Sequence, residues 1–168
     1  MKKILFILSI CFFVSLTMKA QEIMSKTEKV CSNYAGKESC RHQDYFLQAD
    51  IINYGDMHPS YIFTLFVQHS EYDCMENDFV LIKGDAQDIY DLLVRIEDFS
   101  AKVLEDGVRK SYDDYTFTRW NWGILGKVVS VRKVGESEYH NFRNKHISKI
   151  KKKLVKYCKK HNVKINTL

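Results

Sequence analysis

Residues 61–68 read YIFTLFVQ, residues 79–82 read FVLI, and residues 85–103 read DAQDIYDLLVRIEDFSAKV. Every odd position of the first segment is apolar, and the second is a short apolar run, so both predict strands with a buried face. In the third segment, apolar residues recur at spacings of three and four, which predicts an amphipathic helix. Asp85 is its expected N-cap, and Gly107 is expected just after its last residue. The predicted apolar stripe consists of Ile89, Leu92, Leu93, Ile96, Phe99 and Val103.

The rest of the chain adds strands on both sides of this centre. Further strands are predicted at 45–52, within 108–119 and at 127–134, and a last helix is predicted over about 142–161. The order β-β-β-α-β-β-α predicts a single α+β domain, with an antiparallel or mixed sheet of about five strands and both amphipathic helices packed on one face. A sheet closed into a small barrel around the first helix is the alternative.

The first twenty residues have the layout of an export signal. Lys2 and Lys3 precede an apolar run over residues 4–16, and the small residue Ala20 follows. This pattern is typical of a secretory signal peptide cleaved after Ala20. The run is too short to span a bilayer as a helix, which needs about 20 apolar residues. We therefore expect a secreted or periplasmic bacterial protein without a transmembrane segment after cleavage. An N-terminal membrane anchor is the alternative.

After the signal, residues 21–42 are polar and lack a periodic apolar pattern, so we expect an irregular lead-in before a single domain over 43–168. Cleavage leaves an even number of cysteines, which permits disulfides in an oxidising compartment. Cys31 and Cys40 flank a short polar loop and are predicted to form a bridge. Cys74 and Cys158 could form a second disulfide, and the alternative is that they are buried free thiols.

The charges are unevenly distributed along the chain. Residues 143–168 contain ten basic residues and no acidic one, whereas residues 21–142 contain thirteen basic and twenty-one acidic residues. At helical spacing, six lysines lie opposite the apolar residues of the last helix. We call this set the lysine face: Lys149, Lys152, Lys153, Lys156, Lys159 and Lys160. It predicts contact with an anionic partner such as an envelope component, a glycan or a protein. The alternative is a solvated surface balanced by the acidic body.

A second candidate surface is aromatic. Trp120 and Trp122 flank one asparagine at the end of a predicted strand, where they could stack on a sugar ring or hold a peptide. The alternative places one tryptophan in the core and the other over the edge of the sheet. Nucleic acid is an unfavoured partner, because the only aromatic residue of the lysine-rich helix, Tyr157, lies on its apolar side.

The sequence contains no recognised catalytic, phosphate-binding or zinc-binding motif, and we expect no cofactor. Three histidines near the first two strands share no metal-ligand spacing, so no metal site is expected; they are His42, His58 and His69. An enzyme would have to assemble its site from distant residues. The candidate set for a small exported hydrolase is His58, His69, Cys74 and Asp78.

These observations favour a small exported protein that binds a partner without catalysis, through the lysine face or the Trp120/Trp122 edge. The hydrolase is one alternative. Another is an exported inhibitor or immunity-type protein that inserts the loop between Cys31 and Cys40 into the active site of its partner.

Overall fold

The computed structural model describes residues 23–38, 41–55, 57–71, 75–123 and 126–167. Within these ranges, eight strands and two helices follow one another in the order β-β-β-β-α-β-β-β-β-α. The strands are β1 (Ile23–Glu38), β2 (Arg41–Tyr54), β3 (Ser60–Glu71), β4 (Met75–Gly84), β5 (Arg109–Tyr112), β6 (Tyr115–Asn121), β7 (Lys127–Lys133) and β8 (His140–Phe142). The helices are α1 (Ala86–Lys102) and α2 (Asn144–His161).

The strands form two antiparallel sheets of four strands each, in which sequence neighbours are also hydrogen-bonded neighbours. The first sheet contains β1 to β4, and the second contains β5 to β8. Buried residues from both sheets and both helices form one hydrophobic cluster. Helix α1 contacts strands of both sheets, whereas α2 contacts α1 and β1. The two helices therefore lie side by side, and α2 is held between α1 and the edge strand of the first sheet.

Two tyrosine hydroxyl groups connect the sheets. The Tyr115 hydroxyl of β6 donates to the Leu81 carbonyl of β4 at 2.9 Å. The Tyr45 hydroxyl of β2 donates to the Asn141 carbonyl of β8. The Tyr45 ring also lies 4.6 Å from the Phe142 ring, centroid to centroid. Each hydroxyl satisfies a backbone acceptor that would otherwise be buried at cost, so the contact fixes the relative position of the sheets.

The α+β class is confirmed, but the predicted arrangement of its strands is wrong. Two four-stranded sheets replace both the single sheet of about five strands and the small barrel. The expected irregular lead-in over 21–42 contains β1. Among the described strands, β1 pairs with β2 alone, and its first side chains are exposed, so it needs no apolar alternation. The predicted strand within 108–119 is a hairpin of β5 and β6, which turns where Asp113 has a φ of 47°.

The first helix begins as predicted and ends earlier than predicted. Asp85 accepts a hydrogen bond from the Asp88 amide at 2.9 Å, and the Asp88 carboxylate accepts one from the Asp85 amide at 3.0 Å. This reciprocal pair satisfies two free amides of the first turn. The helix ends at Lys102, because Val103 is extended and its carbonyl accepts a hydrogen bond from Arg119 Nε at 3.1 Å. Gly107 instead lies in the loop before β5, with a φ of 75°.

The predicted Cys31–Cys40 bridge is not formed, because Cys31 is a free thiol. Cys31 lies opposite Leu47 on β2, whereas Glu38 lies opposite Arg41 at the other end of the ladder. Extended strand rises about 3.3 Å per residue, so roughly 20 Å separate Cys31 from Glu38. A disulfide joins Cα atoms less than about 7 Å apart. Cys158 is also a free thiol, while Cys40 and Cys74 lie outside the described residues.

The signal peptide predicted over residues 1–20 also lies outside the described residues. Among the helices of the described part, none is long and apolar enough to cross a membrane.

Candidate anion-binding face

The lysine face lies on the solvent side of α2, as the helical spacing predicts. The opposite side of the helix contributes buried residues to the core, namely His146, Ile147, Ile150, Leu154 and Cys158. All six side chains of the lysine face are exposed. The separation follows from the 3.6-residue period of the helix, which places the apolar and basic positions on opposite sides.

Most of these lysines have no carboxylate partner. Within the described part of the chain, no ion pair involves the ammonium groups of Lys152, Lys153, Lys156, Lys159 and Lys160. Two acidic residues of the body pair with other cations: Asp113 with Arg95, and Asp98 with Lys102 at 2.8 Å. The acidic side chains that the structure describes therefore leave these five lysines without direct neutralisation.

Lys151 differs from its neighbours because it points toward α1. Its ammonium group pairs with the Glu97 carboxylate, which also accepts a hydrogen bond from the Ser148 hydroxyl at 3.0 Å. The Lys151 nitrogen also lies 5.7 Å from the centre of the Tyr90 ring. These contacts join the two helices along one side of the groove between them.

A cleft of about 550 Å³ lies in that groove. Its lining residues are Tyr90, Glu97, Ser148, Lys151, Lys152, Val155, Lys156 and Lys159. The cleft thus combines apolar surface from Tyr90 and Val155 with three exposed lysines of the lysine face. The volume falls within the range of about 300–1,000 Å³ usual for small-molecule sites.

The other flank of α2 is fixed to β1. The Tyr157 hydroxyl donates to the Glu28 carboxylate at 3.0 Å, and the His161 ring stacks on the Tyr157 ring at 4.2 Å between centroids. Burial and the Glu28 hydrogen bond raise the pKa of Tyr157, so the phenol stays protonated. The pKa of Glu28 is lowered, chiefly by its hydrogen bonds from Lys26 and Tyr157. The helix that carries the lysine face is therefore anchored on both sides.

The two described cysteines are poor nucleophiles. Burial raises the pKa of the Cys31 thiol, and burial raises the pKa of the Cys158 thiol to about 11. The thiolate is the reactive form of cysteine, so both groups are almost fully protonated near neutral pH.

Of the described residues of the hydrolase hypothesis, His58 lies apart from His69. Asp78 is next to His69 in the ladder of β3 and β4 but points to the opposite side of the sheet. His58 is exposed just before β3, whereas His69 lies near the other end of that strand. Eleven residues of extended chain, at about 3.3 Å each, place the two histidines more than 30 Å apart. Asp78 is exposed and lines a shallow cleft with Phe46 and Phe66, whereas His69 contacts Phe79 and His140. Cys74 lies outside the described residues.

The two tryptophans lie at one end of the β6–β7 hairpin. Trp120 is near the end of β6 and is 38% exposed, and Trp122 follows the strand and is half-buried. Trp122 comes two residues after Trp120, just beyond β6, so both tryptophans belong to the same end of the second sheet. The contact of this edge with a glycan or peptide stays a prediction.

A contact between two histidines, which no sequence pattern indicates, also joins the sheets. His140 Nδ1 of β8 lies 3.2 Å from His69 Nε2 of β3. His140 is fully buried, and its pKa is lowered to about 4 by burial and by the nearby His69. Glu136 Oε2 lies 3.9 Å from His140 Nε2, which is too long for a hydrogen bond, and burial outweighs its attraction. β8 is only three residues long, so no periodic pattern indicates it.

Within the described residues, no group of three or more histidine, cysteine or acidic side chains could hold a metal ion. His42 lies in β2, and its side chain is outside the described part. In comparisons with known proteins, no protein-family model and no curated protein matches the chain.

Proposed function

We propose that this is an exported protein that binds an anionic partner on the lysine face, without catalysis. The observation that carries the proposal is the set of exposed ammonium groups on one rigid helix, five of which have no ion pair within the described part of the chain. Like charges held at fixed spacing create a positive potential that attracts anions and raises their rate of association.

Binding is favoured over hydrolysis because His58 lies far from His69, and Asp78 points to the other side of the sheet from His69. Residues 32–38, which the inhibitor alternative treats as an inserting loop, belong to β1. The export part of the proposal rests on the amino-terminal pattern of the sequence alone.

Binding to a sulfated polysaccharide, measured by fluorescence titration at several salt concentrations, tests the proposal. We expect the double variant Lys153→Glu/Lys156→Glu to weaken binding by at least about 30-fold, because each lysine near an anionic surface contributes about 1 kcal/mol. Glutamate and lysine have similar helix propensities, so α2 stays intact. Salt should weaken binding of the unmodified protein by screening the ammonium groups.

The matched control is Lys110→Glu/Lys127→Glu. These exposed lysines lie on β5 and β7, away from α2, and their replacement changes the net charge by the same amount. The control should retain most of the affinity. Equal losses in both variants would mean that only net charge matters, and salt-independent binding would contradict the electrostatic mechanism; either result would overturn the proposal.

A further inference from the structure

The cleft between α1 and α2 joins two kinds of surface that an isolated charged helix does not offer. Tyr90 is 7% exposed and belongs to the core cluster, and Val155 is half-buried beside it. Both line the cleft together with the exposed lysines Lys152, Lys156 and Lys159. An apolar surface therefore lies directly beside a cationic rim.

The three lysines follow one another at spacings of four and three residues. Such positions lie on one side of a helix, and a rise of 1.5 Å per residue spreads them over about 10 Å. Two neighbouring ammonium groups can therefore contact the same anionic headgroup. None of the three forms an ion pair with another described residue, so a ligand displaces no carboxylate of the described part of the chain.

The acidic residue of the cleft does not oppose an anion. Glu97 is paired with Lys151 and accepts the hydrogen bond from Ser148. Its charge is therefore balanced inside the wall of the cleft, and the unbalanced charge at the rim is positive. Charge complementarity selects an anionic headgroup, and the apolar surface selects an uncharged chain attached to it.

We propose that the cleft binds an amphipathic anion, specifically a single-chain alkyl carboxylate, with its carboxylate on the lysines and its chain along Tyr90 and Val155. This inference rests on the proposed function, because it assigns a ligand class to the cleft side of the lysine face. A cationic or uncharged amphiphile lacks the attraction to the rim, and a short carboxylate lacks the apolar contact.

The first test uses the unmodified protein and a series of straight-chain carboxylates, studied below their micelle concentrations by isothermal titration calorimetry. Burying a methylene group raises affinity by up to about fourfold, and we expect about two- to fourfold per added carbon in this open cleft. Alkyl trimethylammonium ions and alcohols of the same length should bind at least about tenfold more weakly, because they lack the carboxylate. Affinity that does not change with chain length would overturn the inference.

The second test fills the cleft without changing its charge. Val155→Trp places a large side chain over the apolar surface and should weaken binding of the longest carboxylate by about tenfold or more. The matched control is Val134→Trp, on a side chain that is 64% exposed and does not line the cleft. The control should bind like the unmodified protein.

Binding of the sulfated polysaccharide, measured in parallel, separates the two proposals. If Val155→Trp keeps polysaccharide binding and loses carboxylate binding, the assignment of the cleft is supported. If the polysaccharide binds and no carboxylate does, the cleft inference is wrong and the lysine face remains. If neither probe binds to the unmodified protein, both proposals are wrong.

Discussion

His140 links the stability of the fold to pH. It is fully buried between the two sheets, beside His69 and Glu136. Burial and the neighbouring His69 lower the pKa of His140 to about 4, and burial and nearby cations lower the pKa of His146 to about 4. An unfolded histidine has a pKa of about 6.5. Between these values the unfolded chain binds more protons than the folded chain.

The direction of the pH effect on stability follows from this difference in proton binding. Above about pH 6.5 both histidines are neutral in both states and add no pH dependence. As the pH falls below that value, protons stabilise the unfolded chain by about 1.4 kcal/mol per pH unit for each histidine. From about pH 6 to pH 4.5, His140 alone therefore removes about 2 kcal/mol, and His146 removes a similar amount.

The assay is urea unfolding followed by tryptophan fluorescence across this pH range. Replacement of His140 by glutamine removes its titration, so the decline of stability between about pH 6 and pH 4.5 should become smaller by about 2 kcal/mol. Carboxylates titrate in both proteins, so their contribution to the pH dependence of the free energy of unfolding cancels when the two slopes are compared. It also cancels the pH-independent loss of the contact with His69. The control is His58→Gln, because His58 is exposed.

An acid-induced decline that is the same for His140→Gln as for the unmodified protein would contradict the role of His140. His140 would then be protonated in the folded state at no cost, against its burial. A control variant that flattens the decline as much as His140→Gln would show that exposed histidines account for the effect.

Two further predictions concern buried groups. Arg119 is 1% exposed and donates to the carbonyls of Val103 and Trp120. Arg119→Met should lower the free energy of unfolding in urea by about 2–4 kcal/mol, because it leaves the Val103 carbonyl without this donor. The control Arg109→Met, at an exposed position, should change the free energy of unfolding by less than about 0.5 kcal/mol. Equal effects of the two variants would contradict the role of Arg119. Cys158 should react with iodoacetamide at least about 100-fold more slowly in the folded than in the unfolded protein, because its pKa is raised to about 11. Peptide mapping measures the rate of modification. A rate in the folded protein equal to the rate in urea would contradict the burial of Cys158.

Much of the fold was predictable where local patterns and tertiary structure agree. The apolar alternation of 61–68 became β3, and the stripe and capping pair that begin at Asp85 became α1. β1 and β8 could not be predicted because an edge strand and a three-residue strand carry no period of their own. Their pairing is decided by distant partners, which a local window does not contain.

The candidate site likewise combines features set by local sequence with features that depend on residues distant in sequence. The lysine face was predictable because a helix places residues three and four apart on one side. The cleft was not, because Tyr90 and Val155 come from two helices separated by four strands. The contact between His69 and His140 joins residues 71 positions apart in sequence.

The energetics of α2 support a binding role for its lysines. Six pairs within the lysine face are three or four residues apart, and each like-charged pair costs about 0.2–0.5 kcal/mol, or about 1–3 kcal/mol together. The first turn contains no acidic residue, and Arg143 provides no side-chain cap. Violations of local rules without a structural gain are expected at functional sites. The variant Lys153→Glu/Lys156→Glu turns four of these repulsive pairs into attractive ones. Its urea unfolding midpoint should therefore be higher than that of the unmodified protein, while its affinity for the sulfated polysaccharide should be lower.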